Sequence, residues 1–139
     1  MDERIVKFLK KMHLASVCAI DDDGQPYAFS AFYAFDEVNF CLLLASSNES
    51  SHVKFLKNSK LVSGTVALDT KIVGKIEGAQ FQGAMREASE SEREIYFKRF
   101  FYAKAMDPKI WSISLEKVKF TSNTLGFGKK IKWERVDKI

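Results

Sequence analysis

The run VNFCLLLASSNESSHVKFLKN, Val38 to Asn58, changes character twice along its length. It opens as an apolar strand from Val38 to Ala45 and passes through Ser46, Ser47, Asn48, Ser50 and Ser51. It ends as an amphipathic helix from about Asn48 to Asn58, offering Val53 and Leu56 to a core with Phe55 beside them. A strand that empties into a polar helix N-terminus leaves unpaired backbone N–H groups at the positive end of the helix dipole, an arrangement suited to an anion. Serine hydroxyls donate to phosphate, and His52 and Lys54 add cationic capacity in the first turns. The same serines would equally cap an ordinary surface helix, so this stretch alone leaves both readings open.

Before this run, Ile5, Phe8, Leu9 and Met12 keep the spacing of a one-faced helix from about residue 2 to His13. LASVCAI, Leu14 to Ile20, reads as a strand. Asp21-Asp22-Asp23-Gly24-Gln25-Pro26 is a hairpin signal, returning through a strand from Tyr27 to Phe35 and a turn at Asp36-Glu37. The three aspartates lack the further ligands of a calcium loop. After the run, Leu61 to Leu68 is another strand, and Ile72 to Glu87 continues as strand interrupted by Gly74, Gly78 and Gly83, which suggest bulges or bends. Ser89-Glu90-Ser91-Glu92 is a capping box that starts a helix reaching about Phe101. Trp111, Ile113, Leu115, Val118 and Phe120 mark a strand whose alternation slips at Glu116-Lys117, and the tail LGFGKKIKWERV closes on a short alternating segment. Strands and helices in this order give an α+β class, and the glycine bends favour a small closed or split barrel over an open sheet.

The chain has 139 residues, 46% of them hydrophobic, which fits one globular domain over 1–139. No apolar run approaches the roughly 20 residues that span a bilayer, and MDERIVKFLKKM lacks the pattern of a signal peptide. Cys18 and Cys41 stand apart in apolar segments without metal-ligand spacing, so buried reduced thiols, no metal and a cytoplasmic location are expected. Charge is uneven: residues 1–102 carry 13 Lys/Arg against 14 Asp/Glu, and residues 103–139 carry 9 against 4. The basic residues are not interleaved with regularly spaced aromatics, which argues against a nucleic-acid surface. No nucleophile elbow, metal quartet or glycine-rich dinucleotide loop is present.

Two features give the chain a family resemblance: Asp23-Gly24-Gln25-Pro26-Tyr27 opening a strand, and the passage into Lys57-Asn58-Ser59-Lys60-Leu61-Val62-Ser63. Both resemble the pyridoxamine-phosphate-oxidase-like split barrels, a flavoprotein superfamily. Gln80-Phe81-Gln82-Gly83, Arg99-Phe100, the run from Lys119 through Phe127 to Lys130, and Trp133 with Arg135 resemble a narrower group, the YhbP-like proteins. The resemblance implies a homodimer of six-stranded antiparallel split β-barrels with flanking helices and FMN at the interface. The flavin would lie against Phe29 to Ala34, touching Ser30 and Phe32. Its phosphate would sit between Ala45 and His52, against Ser46, Ser47, Ser51 and His52. The partner's C-terminal strand, near Lys129, Lys130, Trp133 and Arg135, would close the site.

The sequence departs from the oxidase pattern at its strongest anion contacts. Phe29 and Ala34 stand where that pattern has arginine and lysine, and its Ser-Arg-Lys grip falls on Glu49, Ser50 and Ser51. Charge-assisted contacts are roughly twice as strong as neutral ones. Compensation is expected from the serines, His52, the helix N-terminus and the partner's Lys129 and Lys130. The implied function is a flavin-dependent oxidoreductase acting on a small substrate, with Ser30, Tyr33 and His52 as polar candidates. The alternative is a non-catalytic flavin- or haem-binding module. The substrate grip of the oxidase itself is not recognisable.

Overall fold

The computed structural model describes residues 1–126 and 128–136; Phe127 of the quoted tail lies outside them. β1 (Leu14–Ile20) turns Ala15, Val17 and Ala19 inward. The hairpin to β2 (Pro26–Asp36) is held by the Asp21 carboxylate, which accepts from the N–H groups of Asp23 and Gln25, with Gly24 at φ +76°. Asp36 makes the next turn by accepting from the N–H groups of Val38 and Asn39. Those donors are therefore lost to a ladder, and β3 is Cys41–Ala45 rather than a strand from Val38. The expected helix over 48–58 is also shorter: α2 spans Ser51–Lys54 and passes into a 3-10 turn, Phe55–Lys57. Serine, histidine and valine are indifferent helix formers, and Phe55 is drawn edge-on against Tyr27, with ring centroids 5.2 Å apart.

β4 is Leu61–Ala67. A 3-10 turn at Val73–Lys75 replaces the start of the expected long strand, so β5 is Glu77–Glu87. α3 (Glu90–Arg99) stops short of Phe101, where a third 3-10 segment, Phe101–Met106, begins. β6 (Ile110–Ser122) and β7 (Lys130–Glu134) complete the chain. The strands follow the order β3-β2-β1-β4-β5-β6-β7, and β3 also pairs with β6. Six antiparallel strands thus close into a barrel, with β7 as a seventh strand.

One edge of β6 serves two partners in succession. Residues 110–114 pair with β3 and residues 117–121 with β7. Between them Glu116 is an extra residue, because Gln82 faces Lys117 while the adjacent Gly83 faces Leu115. This β-bulge is the slip visible in the sequence. A side chain at Gly83 would collide with the Ser114 carbonyl, and one at Gly64 with the Ser16 carbonyl and the Phe81 ring. Both positions therefore require glycine for close strand approach.

α1 (Glu3–Lys11), N-capped by Asp2, inserts Ile5, Phe8 and Leu9 into the barrel core, where Phe8 meets Phe120. The Tyr33 hydroxyl donates to the Leu9 carbonyl at 2.7 Å, and burial pushes that phenol well above its ordinary value. Arg99 donates to the carbonyls of Lys10 and Met12, satisfying the end of α1. A second apolar cluster lies outside the barrel, where Tyr96 and Phe97 of α3 cover Ala34, Cys41, Leu43 and Ile110. β3 is thus buried on both faces, which explains its unbroken apolar run. Among the described residues no helix is long and apolar enough to cross a membrane.

The capping box forms as expected, Ser89 and Glu92 satisfying each other's backbone N–H groups. Glu92 also receives Arg86 at 2.7 and 3.1 Å and the Ser112 hydroxyl at 2.6 Å. Burial alone would raise the carboxyl, but the bonds from Arg86, Ser112 and Ser89 outweigh it and lower the pKa from 4.5 to about 2. The stabilisation is therefore complete above pH 4.5 and is lost as pH falls towards 2. Glu92→Gln should cost about 1–3 kcal/mol near pH 7, with the gap to wild type closing in denaturation curves taken at progressively lower pH.

Candidate functional site

Six strands present an outer face that no helix covers, and their register aligns its side chains into rows. One row runs Ser30–Ser16–Thr65–Gln80–Lys119–Lys132 from β2 to β7. The next runs Ala28–Cys18–Ser63–Gln82–Lys117–Glu134. Most of these residues line an open groove of about 860 Å³, within the range of small-molecule sites. Small side chains at Ser16, Cys18, Ala28 and Ser63 make a low floor. Hydroxyl and amide groups at Thr65, Gln80 and Gln82 supply donors and acceptors, and lysines crowd the β6–β7 end. Exposed apolar groups lie towards the β1–β2 side, with Leu14 paired to Phe32 in register.

The sequence-predicted residues divide into three places. Ser30 and Phe32 are exposed on the outer face of β2, Phe32 with its ring stacked 5.9 Å from His13 and edge-on to Phe100. Ser46 and His52 come together at the barrel mouth, where Ser46 Oγ lies 2.7 Å from His52 Nε2 and the imidazole stacks on Phe29 at 3.7 Å. Trp111 Nε1 donates to the Ser46 carbonyl and completes this junction. Ser47 and Ser51 are exposed, and the Ser47 hydroxyl accepts from the Glu49 N–H.

Lys129, Lys130 and Trp133 belong to the far end. Lys130 faces Thr121, whereas Ser46 lies beside Lys109 just before β6. The two groups are separated by most of the thirteen-residue β6, on the order of 30 Å of strand. One protomer therefore does not gather all the expected residues. Trp133 packs edge-on against Phe40 under the Arg135 guanidinium while also lining the groove.

Two features differ from the anion-site expectation. α2 has four residues and no side-chain cap at Ser50, so it offers little of the expected helix-terminal field. Burial lowers the His52 pKa from 6.5, so the ring is predominantly neutral at neutral pH and does not supply the anticipated cation. Cys41 is buried as expected, but Cys18 is half-buried and lines the groove. Asp36, Cys41 and Glu92 form a close buried group of metal-ligating types. The Asp36 and Glu92 carboxylates are engaged by backbone, Asn39, Arg86 and Ser112 donors.

The groove residues other than Trp133 are not singled out as site residues by the sequence reading. Their signal is a polar residue at every second position in five strands: Ser16/Cys18, Ser63/Thr65, Gln80/Gln82, Lys117/Lys119 and Lys132/Glu134. Period two places each pair on one face, but only the register joins the pairs into a surface.

Fold and groove define a split-barrel protein with a ligand-sized outer face. No family model matches the sequence. The UPF0306 protein YhbP of Salmonella paratyphi A is 36% identical over 135 residues, 94% of this chain and 91% of that protein. The chain belongs to the UPF0306 (YhbP) family. In fold it resembles a haem-binding protein from Mycobacterium smegmatis, with a TM-score of 0.73 and 14% identity over 88% of this chain; the chain spans about half of that protein (53%). It also resembles an FAD-binding protein from Mesorhizobium loti, with a TM-score of 0.69 and 15% identity over 85% of this chain and 91% of that one.

His52→Ala removes the ring stack and the bond to Ser46 and should cost about 1–2 kcal/mol. In wild type, the stability linked to neutral His52 is complete above pH 6.5 and declines as pH falls through its lower folded value. An NMR titration of the imidazole with a midpoint at or above 6.5 would contradict this burial.

Proposed function

We propose that this chain is a pyridoxamine-phosphate-oxidase-like flavoprotein that binds FMN as a homodimer and acts as an oxidoreductase on a small substrate. The observation that carries this reading is the open sheet face: a low floor of small side chains, amides and hydroxyls along it, and lysines at one end. A planar ring fits such a floor, and its polar edge and phosphate find partners of the right kind. Ser30 and Phe32 would meet the ring from β2, with Ser16 beside Ser30 and then Thr65 and Gln80 further along the same row. In this reading Ser46, Ser47, Ser51 and His52 shape the phosphate end from one protomer, while the partner brings its basic β7 region with Lys129, Lys130 and Trp133. The separation of these groups along β6 supports a contribution from a second copy. The bound flavin would supply the electron chemistry; the residues named orient it and limit solvent access.

The haem-binding neighbour supports a second reading, a non-catalytic module for a flat cofactor. His13, exposed beside Phe32 near the outer face, is the nearest imidazole in a suitable place.

The visible spectrum of purified protein, followed by titration with FMN and with haem, tests these readings. Stoichiometric FMN binding with reduction by NADH or NADPH is expected; a protein that ignores FMN loses the flavin assignment, and a haem Soret band with no flavin uptake supports the second. Exchange of Lys129 and Lys130 for glutamate should weaken FMN by at least about tenfold, equivalent to 1.4 kcal/mol. Unchanged affinity would remove the role of this pair. Sedimentation should give the mass of two chains, and a monomer that binds FMN fully would exclude a partner contribution.

A further inference from the structure

We infer that the β6–β7 end of the outer groove is a binding site for a phosphate or diphosphate ester, gripped by Lys119 and Lys132. The site is distinct from the serine-rich passage and from Lys129–Lys130, and it deepens the cofactor reading by naming the chemistry the groove selects.

Lys119 and Lys132 are direct cross-strand partners, and Lys117 and Lys130 extend the same outer face one register step to either side. Directly opposed like charges destabilise a sheet, and Lys119 is half-buried, which raises the cost of its unneutralised ammonium. No ion pair between either lysine and another described residue is present. The neighbour of Lys119 on β5 is Gln80, a neutral donor and acceptor. Glu134, the acidic residue of the lining, faces Lys117 in register instead. The guanidinium of Arg135 is committed to the carbonyls of Leu115, Asn39 and Phe40.

Two lysines at facing positions on one end of a ligand-sized groove become favourable when an anion bridges them. A compact anion with several oxygens matches this geometry better than a single carboxylate: each lysine is a point donor and needs its own acceptor. The amides and hydroxyls along the floor would then meet the uncharged body of the ester. Its source is either the cofactor phosphate or a separate phosphorylated substrate lying along the same floor.

The test uses full-length protein, wild type against the double variant Lys119→Gln with Lys132→Gln. A second double variant, Lys119→Arg with Lys132→Arg, keeps the charge, and circular dichroism checks folding of both. Inorganic pyrophosphate is titrated while lysine side-chain NMR signals are followed, and FMN and riboflavin are titrated by flavin fluorescence. Pyrophosphate should shift the Lys119 and Lys132 signals in wild type, with affinity that falls as salt rises. If this site, in place of the serine-rich passage, holds the cofactor phosphate, wild type prefers FMN to riboflavin by at least about tenfold. The glutamine variant then loses that preference while its riboflavin affinity holds, and the arginine variant retains it. If the site holds a separate substrate, the FMN-to-riboflavin ratio is the same in all three proteins while pyrophosphate binding is lost only with glutamine. Pyrophosphate that moves neither lysine signal, together with an unchanged FMN-to-riboflavin ratio, overturns the site. If neither flavin binds wild type, the flavin reading falls and the pyrophosphate arm alone decides the lysine pair.

Discussion

The architecture depends on how β6 divides one edge between two partners. β3 occupies its first half and β7 its second, and the change-over falls at the Glu116 bulge. Arg135 holds this point together. Its backbone N–H donates to the Glu116 carbonyl, while its guanidinium reaches the Leu115 carbonyl on β6 and the Asn39 and Phe40 carbonyls of the β2–β3 turn. Two segments, β6 and the β2–β3 turn, are thereby tied together through three carbonyls by one planar side chain, a task suited to the forked donors of arginine. The resemblance placed Arg135 near the partner's site, but its donors are engaged within its own chain.

This division accounts for the two surfaces that matter. Closure through β3 lets α1 and the inward residues form one core, and α3 can cover β3 and β6 from outside. The opposite outer face, running from β2 through β1, β4, β5 and β6 to β7, receives no helix. Gly64 and Gly83 keep neighbouring strands close enough for rings such as Phe81 to fill the interior beneath it. The open groove is thus the face left over once the barrel is closed, and β7 extends it and brings Lys132 beside Lys119.

Strand and helix positions were largely legible where local chemistry and periodicity agree. The Asp-Gly hairpin, the Ser89–Glu92 capping box, LASVCAI and the slip at Glu116 all match the fold, because each is set by neighbours within a few residues. Errors fell where a side chain competes with the expected backbone pairing, from within the turn or from a distant strand. The Asp36 carboxylate withdraws Val38 and Asn39 from β3. Phe55 turns onto Tyr27 and the helix after Ser50 stays short. The serine passage fits an anion cradle and a helix cap equally in sequence, because only the fold sets the directions of small polar side chains at a strand end. Ser46 in fact faces His52, and His52 lies on Phe29.

By itself, the sequence determined an α+β chain of alternating strands with a bulge, a capped helix and a basic C-terminal third, because those properties follow from backbone preference, side-chain periodicity and charge. Only the tertiary structure decided which strands share an edge, and therefore that serines, glutamines and lysines distant in sequence lie in common rows. Register is a relation between segments: a shift of one residue would turn every such row to the opposite face, and no single segment records it.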